Sequence, residues 1–197
     1  MGTHRGTHGT SGQRADAIEA KGFEATAVGK AGSGVYLWAY ADDSSTARDL
    51  AIGWYKNQLS WSRFADEKDP KWAVLYAEIE AADEECYDCN TLEFREALFA
   101  YLRALDRADV PYSDDDLCGA YNSLIKGIEA KVQRNFGVVH ACVPLPKKMP
   151  LKEKVAGSDA FVHIVRQGFD RLRVTAREDE AVDDGDVKEA EAVGRYN

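Results

Sequence analysis

Residues 32–47 read GSGVYLWAYADDSSTA, and three local signals follow one another inside them. Gly32 and Gly34 end a glycine-rich loop that begins at Val28, since so many glycines in so few residues do not form a packed element. Val35, Tyr36, Leu37 and Trp38 are the β-branched, aromatic and apolar run of a strand. Ser44 or Ser45 then opens a helix as its N-cap, with Ala47, Leu50, Ala51, Trp54 and Leu59 near a 3.6-residue period. Upstream, a strand over Thr3 to His8 runs into His8-Gly9-Thr10. Ser11 caps a short helix with Ala17, Ile18 and Phe23 on one side, and Gly22 stops it.

Downstream, Trp72 to Glu80 alternates, with Ala73, Leu75, Ala77 and Ile79 on one face, and predicts a strand. Asn90 and Glu93 resemble a capping box for a helix carrying Phe94, Leu98, Tyr101, Leu102 and Leu105, which ends at Pro111. Ser113 starts another, with three aspartates in its first turn and Leu117, Tyr121, Leu124, Ile125 and Ile128 on its apolar side. Strands return over Phe136 to Val143, Phe161 to Val165 and Leu172 to Val174. Residues from Ala176 onward are acidic and poor in large apolar side chains, which predicts a mobile tail over 176–197 behind a single domain over 1–175. The class is α+β, with strands near both ends and a helical middle.

The 197 residues suit one domain with a substantial core, and 45% hydrophobic content is that of a folding chain. A formal charge of -9 argues against a general nucleic-acid coat. No apolar run of about 18 residues predicts a membrane span, and no leader of the secretory kind is visible. Four cysteines suit a reducing compartment, so the expected location is cytoplasmic.

His8-Gly9-Thr10, Gly22-Phe23, Gly32 to Leu37 and Ser44 to Ala47 occur in the order and at the spacing of the amino-terminal half of an ADP-ribosyltransferase. Over roughly the first fifty residues the chain resembles the diphtheria-toxin and poly(ADP-ribose) polymerase type of that family. The resemblance implies split antiparallel sheets around an NAD cleft with a helical middle segment. It implies NAD as co-substrate, with no metal, and transfer of ADP-ribose to a macromolecular acceptor, protein or nucleic acid, with no membrane partner. By the same resemblance His8 bonds the adenosine ribose, Gly9 offers its backbone to the nicotinamide carboxamide, and Ser45 or Ser44 adds a hydroxyl. Tyr36 stacks on the nicotinamide ring, Tyr40 or Tyr55 closes its other side, and Thr10 and Gly34 line the site.

In that family a late strand carries a glutamate that orients the ribose and steadies the developing positive charge as nicotinamide leaves. The corresponding stretch, residues 158–165, contains none, and with the turn and strand that follow it resembles the family's closing hairpin. Depending on register, the position falls on Asp159, Ala160 or Val162, and a one-residue slip reverses every side chain. Asp159 is taken as the catalytic carboxylate, with His8 and Tyr36. The other readings are an inactive module that binds NAD, ADP-ribose or a protein, and an NAD glycohydrolase. Compact size suggests a bacterial or phage toxin or effector, with a cognate inhibitor or antitoxin as partner.

Other signals weigh less. Cys86 and Cys89, with Cys118, His140 and Cys142 more distant, make a weak zinc pattern, for which free thiols are the expectation. His163 is a further cleft candidate, Glu78 and Glu80 are candidates only if the topology departs from the family, and Arg5 reads as a surface or phosphate-side residue. Residues 146–154 form a lysine-bearing loop. Trp54 and Trp61 read as core.

Overall fold

Seven strands and four helices order most of the described chain, residues 1–68, 70–105, 111–149 and 159–181 of a computed structural model. In chain order they are Gly2–Ser11 (β1), Gly12–Lys21 (α1), Val35–Tyr40 (β2), Ser45–Ser60 (α2), Trp72–Ala81 (β3), Cys86–Asp88 (β4), Leu92–Ala104 (α3), Asp114–Val132 (α4), Val138–Pro144 (β5), Asp159–Val165 (β6) and Leu172–Asp179 (β7). The strands join in one sheet of order β4-β5-β6-β2-β1-β3-β7. All neighbours are antiparallel except β4 and β5. The chain is thus α+β, as its pattern predicts, but its strands form one mixed sheet rather than the expected pair of split antiparallel sheets.

Alternation along β3 decides what lies on each face. Ala73 and Leu75 pack with Ala15 of α1, and Ala77 and Ile79 with Val35, Leu37, Val138 and Val165. Val74 points the other way, into the largest core, where Leu50 and Ala51 of α2, Phe94, Leu98 and Leu102 of α3, and Tyr121 and Ile125 of α4 converge. The sheet therefore separates α1 from the other three helices. Phe94 is 2% exposed, and truncation of such a side chain to alanine typically costs about 3–5 kcal/mol.

Glu129 near the end of α4 is buried. It accepts a hydrogen bond from Phe136 N at 2.9 Å and pairs with Arg166 at 2.7 Å, which ties α4 to the end of β6.

The structure departs from the sequence pattern in four places. Thr91, not Asn90, caps α3, its hydroxyl accepting from Phe94 N; Asn90 instead accepts from Cys142 N at 2.8 Å and secures β5. Trp61 is 54% exposed just past the end of α2, whereas Trp54 packs against the core. β6 and β7 are no hairpin: β6 pairs with β2 and β5, and β7 pairs with β3 across the sheet. Finally, residues 176–179 belong to β7 rather than to a tail. Ladder bonds to Ala73–Tyr76 hold them, Glu178 forms a bidentate ion pair with Arg48 of α2, and Glu180 N donates to Trp72 O. Residues 182–197 and residues 150–158 of the lysine-bearing loop lie outside the described residues.

Candidate active site

β1 and β2 are neighbours, but their ladder is short. It runs from Arg5–Tyr40 to Thr7–Trp38, whereas β1 continues to Ser11 and β2 starts at Val35. His8, Gly9 and Thr10 therefore lie beyond the last β2 pair, while Leu75, Val74 and Ala73 of β3 pair with them on the other side. His8 bridges the resulting notch, its Nδ1 lying 3.0 Å from the Tyr36 carbonyl oxygen.

A carbonyl only accepts, so Nδ1 carries the proton and Nε2 is left as an acceptor. Phe23 meets the imidazole edge-on with ring centroids 5.5 Å apart. Burial lowers the His8 pKa from its ordinary 6.5, against the smaller opposing pull of the Tyr36 carbonyl. His8 is accordingly a neutral, oriented ring at pH 7.

Tyr36 holds the glycine loop. Its hydroxyl donates to Gly32 O at 2.6 Å and accepts from Ala31 N at 2.9 Å, and burial raises its pKa. The loop lies so close to the ring that a Cβ at Gly29 would sit 2.4 Å from the phenol oxygen. Gly34, at φ 151°, passes against β6, where a Cβ would meet Val165 O at 2.7 Å. Glycine is required at both points for close approach. Asn122 of α4 fastens the loop from outside, accepting from Ser33 N at 3.1 Å and donating to Ser33 Oγ at 2.9 Å.

Gly9 faces α2. A Cβ there would lie 2.0 Å from Ala51 O, so the helix and the strand touch through the missing side chain. Thr10 is 6% exposed. At the other end of β2, Tyr40 pairs with Arg5, and Arg5 is salt-bridged to Glu78 at 2.9 Å. Tyr55 is buried beneath Phe64, its hydroxyl donating to Pro70 O. Ser45 is exposed, and its Oγ donates to the Asp43 carboxylate at 2.8 Å; Ser44 occupies the N-cap position of α2 without a side-chain cap bond.

The β6 register resolves the open late-strand position. Ile164 pairs with Tyr36, and Val162 with Trp38. Asp159, five residues before Ile164, is opposite Pro144 at the far end of the strand, about 16 Å from the Tyr36 row at ~3.3 Å per residue. It is exposed, while Ala160 and Val162 point into the helical core. The His8 ring thus reaches the Tyr36 backbone, while the Tyr36 ring packs toward the helical core on the other face of the sheet, and Asp159 joins neither. Burial raises the Tyr36 pKa most, with Cys118, Tyr121 and, least, Asp114 of α4 adding to it. Sequence spacing links neither Asp114 nor Asn122 to the glycine loop; only the packing of α4 against it does.

The cysteine pattern is divided. All four cysteines are free thiols. Cys118 lies near Ser33 and Ala27 O, and Cys89 is buried beside β5, its N donating to His140 O. Cys86 is 3.3 Å from His4 Nε2. His163 turns toward His140 and His4 rather than toward Tyr36. Among the described residues no helix is long and apolar enough to cross a membrane.

No family model matches the chain, and no curated protein or solved structure is significantly similar to it.

Proposed function

We propose that the chain is an NAD-dependent mono-ADP-ribosyltransferase, with the notch where β1 runs on beyond its β2 ladder as its NAD cleft. The observation that carries the reading is the notch itself. The H-G-T segment and the G-V-Y segment, far apart in sequence, meet across it through the His8–Tyr36 bond. A neutral His8 with Nε2 free to accept is suited to a ribose hydroxyl. The β1 edge beyond Thr7 is suited to a carboxamide through backbone N–H and C=O groups. In the reaction the bond between nicotinamide and ribose breaks, nicotinamide leaves as a neutral base with the bonding pair, and a nucleophile of the acceptor takes the vacated ribose carbon. Where water is the acceptor, the same site is an NAD glycohydrolase. A toxin or effector role with a cognate inhibitor belongs to this reading as well.

A second reading, an NAD- or ADP-ribose-binding module without turnover, is favoured by the late strand. Asp159 stands at the wrong end of β6 for His8, and the glycine loop covers the Tyr36 ring. The test is incubation of the full chain with NAD labelled in its adenylate half and a cell lysate, following nicotinamide release and label on macromolecules. The transferase reading expects both from the wild type and neither from His8→Ala or Tyr36→Ala. Binding without nicotinamide release would select the second reading, and neither binding nor release would remove both.

A further inference from the structure

Three histidines far apart in sequence converge on the sheet away from the notch. His140 of β5 and His163 of β6 are a cross-strand pair, with Nδ1 atoms 2.8 Å apart. His4 of β1 reaches them past the end of β2, its ring centroid 5.0 Å from His140 and 5.4 Å from His163. One nitrogen from each of the three lies within 4.8 Å of the others. The sulfur of Cys86, on β4, is 3.3 Å from His4 Nε2. We propose that His4, His140, His163 and Cys86 form a zinc site that clasps β1 to the β4–β5–β6 side of the sheet.

The donor set and its spacing carry the proposal. Imidazole and thiolate donors suit zinc, and an ion bound tetrahedrally at about 2.0–2.3 Å sets its donors about 3.3–3.6 Å apart. The Cys86–His4 separation already has that value, while the facing pair on β5 and β6 must open from 2.8 Å and the three histidine nitrogens, which lie within 4.8 Å of one another, must draw in around the ion. Without an ion, His140 and His163 share a single proton between their Nδ1 atoms and Cys86 meets His4 alone. With an ion, each ring supplies a lone pair. His163 is also hydrogen-bonded to the Arg5 backbone, the kind of outer partner that fixes the tautomer and aim of a ligating ring. Binding takes the proton of Cys86 into solvent, leaving the ion and thiolate with a net positive charge that Asp83, whose carboxylate acts on His4, partly offsets.

The test uses the untagged full chain, stripped with a chelator and dialysed against zinc. We expect one zinc per chain by elemental analysis, a rise in melting temperature on zinc addition, and tetrahedral visible bands with a thiolate charge-transfer band when cobalt replaces zinc. Cys86→Ser should lose the charge-transfer band while keeping cobalt, and His4→Ala and His163→Ala should each lose stoichiometric metal. His8→Ala, which alters a histidine on the same face of the same strand, should keep it, so failure of the NAD reading and failure of this one are separately visible. A wild-type chain that takes up no stoichiometric zinc and gains no stability from it would overturn the site. So would zinc uptake unchanged in both His163→Ala and Cys86→Ser.

Discussion

His4 and His8 stand four residues apart on one face of the same strand, and their surroundings give them different chemistry. His8 has its Nδ1 proton committed to the Tyr36 carbonyl and an aromatic edge against its ring, so one nitrogen remains for one partner. His4 faces two other imidazoles and a sulfur, groups that each donate or accept, so its ring has several polar neighbours. Their neighbours along β1 differ as well. At the His8 end the backbone is pressed onto α2 through Gly9, and at the His4 end Gly2 has room, its nearest potential contact being His4 Nε2 at 3.7 Å. Residue type and spacing are alike at the two ends; what crosses the strand there is not.

The largest structural effect expected from breaking this contrast is at Gly9. Gly9→Ala forces a methyl into the Ala51 carbonyl and should destabilise by at least about 1–3 kcal/mol, the usual cost of overpacking. Gly2→Ala, with only ordinary contacts available, should stay within about 0.5 kcal/mol of wild type. Chemical denaturation of the two variants reads the difference, and equal stabilities would mean that β1 does not lie on α2 as described. A smaller effect concerns acid. The His8 pKa is lowered in the folded chain, so below its ordinary 6.5 the unfolded chain binds the proton first. The stability His8 contributes is complete above that pH and is lost as pH falls beneath it, by at most about 1.4 kcal/mol per pH unit for one group. Wild type should therefore lose stability below pH 6.5 more steeply than His8→Gln, both measured with chelator present; parallel curves would show an exposed, unshifted ring.

Much of the fold is legible where short-range chemistry decides it. The serine cap and acidic first turn of α4, the alternation of β3, and the loop, strand and helix from Gly32 onward are all stated by neighbouring residues. The second half of β7 is not, because Arg177, Glu178 and Asp179 after Ala176 read as the start of a charged tail. It is held by the β3 ladder and by partners at long range, with Arg177 on Asp16 and Glu19 and Glu178 on Arg48. In the candidate site, His8, the glycine loop and Tyr36 are visible because each lies in a compact motif. The late-strand position was ambiguous because a sheet register is set by the partner strand, and pairing of Ile164 with Tyr36 removes the ambiguity against Asp159. The histidine cluster has no local signature at all, since His4, His140 and His163 come from three different strands. The weak zinc pattern names Cys86 and His140, which lie at this cluster, together with Cys89 and Cys118, which serve the core and the loop.

Calorimetric titration of NAD into the full-length chain tests the central claim most directly, because it asks whether the notch between His8 and Tyr36 is a dinucleotide site before asking about turnover. The expected result is saturable binding at one site per chain in the wild type, lost in His8→Ala while the fold is retained by circular dichroism. Absence of saturable binding in the wild type, or binding undiminished by His8→Ala, would contradict it.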